Sequence, residues 1–71
     1  MKLAVLSYSH HGRGIGRMGC DLGHEIVGVM DENKNARTQL EKEFSCLGFD
    51  TAGACLDAVR PDVALITGKH I

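Results

Sequence analysis

Three observations predict that this chain of 71 residues folds as an α/β domain around a parallel sheet. First, Leu3-Ala4-Val5-Leu6 and Val63-Ala64-Leu65-Ile66 are apolar without alternation, the pattern of strands covered on both faces. Second, segments with helical spacing lie between the strand-like segments, so that strands and helices alternate. Third, Gly12, Gly14, Gly16 and Gly19 crowd into the stretch after the first strand, where a turn must lead into a helix.

The elements follow in order. The first strand covers Leu3 to Leu6 and ends in the small and polar residues Ser7-Tyr8-Ser9-His10-His11-Gly12. Ile15, Met18, Gly19 and Leu22 then recur at i, i+3, i+4 and i+7, which predicts one face of a helix stopped by Gly23. That helix is poor in propensity, since each interior glycine costs about 1 kcal/mol relative to Ala. It therefore needs a packing reason, and Gly12, Gly16 and Gly19 supply one as a smooth stripe that lets backbone lie near a strand.

Glu25 to Met30 is rich in β-branched residues and forms the second strand, closed by Asp31. Ala36, Leu40 and Phe44 line one side of an amphipathic helix within Lys34 to Ser45, capped by Asp31 or Asn33. Glu41, Lys42 and Glu43 read as its solvated face. Leu47-Gly48-Phe49-Asp50 is a weak third strand, Thr51 caps a short helix through Cys55, Leu56 and Val59, and Pro61 ends it. Asp62 to Thr67 is the last strand. The order β-α-β-α-β-α-β corresponds to about half of a doubly wound, Rossmann-like domain, with strand order 3-2-1-4 and the first two helices on one face. The last strand then lies at an open, apolar edge, which predicts self-association.

Composition narrows the partners. A hydrophobic fraction of 44% and a charged fraction of 24% suit a folded domain. Eight Lys plus Arg against nine Asp plus Glu give a net charge of -1, so no basic footprint for nucleic acid is expected. No apolar run approaches the roughly 20 residues of a membrane span, and the N-terminus lacks the pattern of a signal peptide. Cys20, Cys46 and Cys55 are odd in number and form no C-x-x-C pair, which predicts reduced, mostly buried thiols and a cytoplasmic location. Together with His10, His11, His24 and His70 they show no close ligand spacing, and no metal site is expected.

Two registers of a dinucleotide fingerprint can be written. Gly14-Ile15-Gly16-Arg17-Met18-Gly19 is the literal G-x-G-x-x-G; Ser7-Tyr8-Ser9-His10-His11-Gly12 places serine at the first two glycine positions. The first position should follow the strand directly, and an acid is expected roughly 20 residues beyond the motif. Asp31 lies nineteen residues after Gly12 and twelve after Gly19, which favours the earlier register. An acid at the end of the second strand accepts hydrogen bonds from ribose hydroxyls and repels a 2′-phosphate, so Asp31 favours NAD. Lys34 and Arg37 lie close in sequence and keep NADP open.

At Lys2 to His10, Glu25 to Asp31 and Pro61 to Thr67 the chain resembles the N-terminal domain of the Gfo/Idh/MocA oxidoreductases, named for glucose-fructose oxidoreductase, inositol dehydrogenase and a rhizopine-catabolism protein. The resemblance implies an NAD(P)-binding Rossmann domain followed by a larger α/β domain for sugar- or polyol-like substrates. By position it implies Ser7, Ser9 and Gly12 at the pyrophosphate, with His10 in the same turn. It implies Asp31 at the adenosine ribose, and Thr67 with His70 in the nicotinamide-side loop. The family's Glu-Lys-Pro motif, whose Lys is the usual catalytic residue, is absent from these residues, so none is assigned a catalytic role and the substrate domain is expected to lie outside them. Other Rossmann reductases, such as dihydrodipicolinate reductase, share the opening. The alternative readings are a non-catalytic Rossmann-like nucleotide-binding or interaction module and a truncated product without function.

Overall fold

In the computed structural model, which describes residues 1–8 and 12–68, the predicted alternation is complete. The elements are β1 (Lys2–Ser7), α1 (Gly12–Asp21), β2 (Glu25–Asp31), α2 (Lys34–Phe44), β3 (Leu47–Phe49), α3 (Ala52–Val59) and β4 (Val63–Thr67). The four strands form one sheet in the order β3-β2-β1-β4, and every neighbouring pair is parallel. This is the α/β, partial Rossmann-like topology that the sequence predicts.

The central strand explains its own lack of alternation. Leu3 and Val5 point to the face covered by α1 and α2, where they meet Ile26, Val29 and Leu40. Ala4 and Leu6 point to the other face, where they meet Met30 and Cys55 of α3. With both faces covered, every position of β1 from Leu3 to Leu6 is buried and must be apolar. β2 contains an irregularity that periodicity does not reveal. Leu3 lies opposite Ile26 but Ala4 lies opposite Gly28, so Val27 is an extra residue in the ladder. This bulge lets Ile26 and Val29 face the same side although they are three residues apart.

α1 buries the expected stripe of Gly12, Gly16 and Gly19, and not the apolar face of Ile15, Met18 and Leu22. Gly12, Gly16 and Gly19 are buried against the sheet and α2, whereas Met18 is 61% and Leu22 70% exposed; only Ile15 of the apolar set packs on the core. The reason is distance. A Cβ on Gly12 would stand 2.8 Å from Ser7 Cβ and 3.0 Å from Val5 Cγ1, and one on Gly19 would stand 2.8 Å from Leu3 Cδ1. The helix lies so close that only glycines fit beneath it, and its larger apolar side chains turn outward to an open groove shared with Val63 and Leu65.

The helix ends follow local chemistry. At the end of α1, Gly23 adopts φ +90 and donates to the Cys20 carbonyl while His24 N–H reaches Gly19 O, the paired bonds of a glycine C-cap. The cap of α2 is Asn33, whose Oδ1 accepts from Ala36 N–H at 3.0 Å, and not Asp31. Thr51 caps α3 as expected, accepting from Ala54 N–H, and Pro61 follows the end of that helix. The supposed solvated face of α2 is also different: Glu41 accepts from Gly48 N–H at 3.1 Å, and Glu43 pairs with arginines of α1. Only Lys42 of the three is exposed. No helix among the described residues is long and apolar enough to cross a membrane.

Cys55 is fully buried and Cys20 and Cys46 are half-buried, all three as free thiols. Burial, with the neighbouring thiols and Glu41 adding to it, pushes the Cys46 thiol up to about 11, and burial alone raises Cys55. A thiol raised in the folded state holds its proton where the unfolded chain has already lost it. Between the ordinary value of 9.0 and about 11 the unfolded state therefore binds fewer protons, and stability falls as pH rises through that window. Denaturant titrations should give a midpoint that declines from pH 9 to 11, with a smaller decline in Cys46→Ala; a decline of equal size in the variant would contradict this origin.

Candidate functional site

The carboxyl ends of three strands come together in one row. In the sheet register Ser7 lies opposite Asp31 on one side and opposite Thr67 on the other. Parallel pairing with matched strand ends thus assembles three residues far apart in sequence at a single edge. The chain leaving β1 stays beside β4, because Tyr8 N–H donates to the Thr67 carbonyl at 2.9 Å. Thr67 is half-buried, and Gly68 turns the chain away with φ +84. Ser9, His10 and His70 lie outside the described residues.

Ser7 is the last residue of β1 and is fully buried. Its Oγ accepts from Gly12 N–H at 3.2 Å, tying the strand end to the first residue of α1. A serine side chain thereby satisfies one of the helix's initial N–H groups, and Gly12 supplies the close approach that the bond requires. Ser7 needs no left-handed backbone: Ser45 and Arg60 are the non-glycine residues with positive φ among those described. The literal G-x-G-x-x-G lies wholly inside α1, where Gly14 and Gly16 are helical and form no strand-to-helix turn.

Asp31 is the most unusual group. It is 2% exposed, and Oδ1 accepts from Asn33 N–H at 2.9 Å while Oδ2 is buried with no hydrogen-bond partner among the described residues. Arg37 Nη1 is close by but donates to the Asp31 backbone carbonyl at 3.0 Å, not to the carboxylate. A buried polar atom without a partner costs about 1–3 kcal/mol, more when charged, and such atoms mark places where a ligand or water completes the bonding. Asp31 borders a cavity of about 390 Å³ whose other walls are Arg13, Asn33, Asn35 and Gln39, with Ala36 and Leu40 beneath. The wall is rich in amide donors and acceptors and has an apolar floor, which is the makeup of a small-molecule site.

The cavity residues other than Asp31 were not singled out as binding groups by the sequence. Arg13 follows Gly12 directly, and Asn35 and Gln39 lie one turn apart on α2, but nothing in linear spacing tells that α1 and α2 meet there. Arg13 Nε is held by Glu43 Oε1 at 2.6 Å, and Arg17 Nη1 lies 3.7 Å from Glu43 Oε2. Lys34 is exposed and borders no part of the cavity.

A dinucleotide can be tested against these residues. Its adenosine ribose carries two adjacent hydroxyl donors, and an acceptor-only carboxylate with one unpartnered oxygen suits them. The residues fit. The fold is a parallel α/β sheet of partial Rossmann-like topology, with Ser7, Asp31 and Thr67 in one row at its carboxyl edge. No family model, curated protein or solved structure matches the chain.

Proposed function

We propose that this chain is a dinucleotide-binding unit of the Gfo/Idh/MocA type, taking NAD in preference to NADP. In a full-length oxidoreductase of that kind it would serve hydride transfer to or from a sugar- or polyol-like substrate. The observation that carries the reading is the buried, half-satisfied carboxylate of Asp31 beside a polar cavity at the carboxyl edge of the sheet. When bound, the nicotinamide supplies the hydride chemistry. The chain's own residues bind and orient. Asp31 would accept from the ribose hydroxyls, while Asn33 holds the carboxylate by its N–H and Arg37 fixes the strand end. The Ser7–Gly12 bond keeps the start of α1 against the end of β1. Thr67 and His70 are the residues of the nicotinamide side.

Calorimetric titration of NAD and NADP against the chain tests the proposal. Saturable NAD binding, weaker for NADP, is expected; no heat and no fluorescence change of NADH at millimolar cofactor would overturn it. The second reading, a non-catalytic nucleotide-binding module, shares the same site and separates from the first by the absence of any hydride transfer in the full-length context.

The edge of the sheet carries a separate expectation. β4 has one strand neighbour, and Val63 and Ile66 are exposed on opposite faces of it. An apolar edge strand without a charged residue between Val63 and Thr67 pairs readily with another edge. Sedimentation across a concentration series should show reversible association that Ile66→Lys abolishes; a monomer throughout would contradict it.

A further inference from the structure

We propose that Glu43 sets which adenine dinucleotide the Asp31 cavity takes, by holding the Arg13 guanidinium in an ion pair and withholding it from a 2′-phosphate. The inference rests on the dinucleotide reading. Arg13, from α1, and Asp31, from the end of β2, border the same cavity. Arg13 and Gln39 also border a neighbouring depression of about 430 Å³ whose other walls are Lys42 and Glu43. Arg13 thus stands on the boundary between the ribose-sized cavity and the acid that binds it.

A ribose held by Asp31 would present a 2′-phosphate next to a buried carboxylate. Accepting that phosphate requires a compensating cation with a planar fork of donors, which is what a guanidinium provides. The other cations nearby are committed or distant: Arg37 Nη1 donates to the Asp31 carbonyl, and Lys34 and Lys42 do not border the Asp31 cavity. Arg13 is the cation of that wall, and its Nε is engaged by Glu43 Oε1 at 2.6 Å. Glu43 is the anchored member of the pair, its side chain 21% exposed against 77% for Arg13, and its second oxygen also lies near Arg17. One carboxylate on α2 is therefore shared between two arginines of α1, with the shorter contact to Arg13. Without its charge, Arg13 would be free to pair with an incoming phosphate.

The test compares wild type, Glu43→Gln and the double variant Arg13→Gln/Glu43→Gln, using adenosine 2′,5′-bisphosphate and 5′-AMP as probes that differ only in the 2′-phosphate. An exposed ion pair contributes little to stability, so all three proteins fold, as circular dichroism would verify. Glu43→Gln should tighten adenosine 2′,5′-bisphosphate about tenfold and leave 5′-AMP within about twofold, and the double variant should lose that gain. An unchanged ratio in Glu43→Gln, or a gain that survives in the double variant, would overturn the role of Glu43 while 5′-AMP binding still upheld the dinucleotide reading. Failure of all three proteins to bind either probe would overturn both.

Discussion

Asp31→Asn should make the protein more stable and a poorer binder of NAD. The carboxylate is buried and, among the described residues, one of its oxygens lacks the hydrogen bond that water gives it in the unfolded chain. The amide keeps an acceptor for Asn33 N–H and removes the charge. We expect a gain of about 1 kcal/mol, which for a domain of this size is roughly 4–8 °C in Tm. The same change removes an anionic acceptor from the ribose. Hydrogen bonds to charged groups contribute about 1.5–3 kcal/mol, so NAD should bind roughly ten- to a hundredfold more weakly. NADP, whose phosphate the acid repels, should lose less. Opposite signs for stability and binding distinguish a ligand site from a structural carboxylate, whose loss would lower both. Thermal melts and calorimetry on one pair of proteins measure the two effects together.

The second large effect concerns the glycines of α1. Gly12→Ala places a methyl 2.8 Å from Ser7 Cβ, 3.0 Å from Val5 Cγ1 and 3.1 Å from Ser7 Oγ. All three atoms belong to β1, a strand paired on both sides, so the helix must move outward and lengthen or break the Ser7–Gly12 hydrogen bond. Overpacking of this kind costs about 1–3 kcal/mol, a large share of the roughly 4–10 kcal/mol a chain of this length commands. Gly14→Ala is the contrasting case. No described atom lies within 4 Å of its added methyl, and the helix gains propensity, so stability should rise by about 0.5–1 kcal/mol. Denaturant midpoints of the two variants should move in opposite directions; two losses of similar size would mean that the stripe is not what sets the spacing of α1 from the sheet.

Much of the architecture is legible in the chain because each strand and helix carries its own signal. The unbroken apolar run of β1 reports burial on two faces, and the spacing of Ala36, Leu40 and Phe44 reports the buried side of α2; the equally apolar run of β4 does not report such burial, because that strand lies at the sheet edge and leaves Val63 and Ile66 exposed. The orientation of α1 is not legible from apolar periodicity. Two competing stripes exist on it, and the one that faces the sheet is decided by how close the backbone must come, which only the neighbouring Val5 and Ser7 determine. Val27 is similar: a bulge is a relation between two strands, and β2 alone reads as regular. At the site, Ser7 and Asp31 stand at the ends of apolar runs and are visible for that reason. The partners that give them their properties, Gly12 for Ser7 and Asn33 for Asp31, are local and within reach of inspection. Glu43 lies thirty residues from Arg13, and only the packing of α1 against α2 makes them a pair.

The proposed site differs from an ordinary strand end in one respect. Buried polar atoms are usually bonded, and here Asn33 takes one oxygen while no described residue bonds the other. Arg37, which had the reach to complete it, is directed to the backbone instead. A side chain kept in that state suits a partner from outside the chain.

The most direct measurement is a titration of the isotope-labelled chain with NAD followed by amide chemical shifts. The account predicts saturable shifts concentrated at Ser7, Gly12, Asp31, Asn33 and Thr67, along the carboxyl edge of the sheet, with little change at the amino ends of the strands near Lys2 and Glu25. Unchanged spectra at millimolar NAD, or shifts centred on the groove of Met18, Leu22 and Val63, would contradict it.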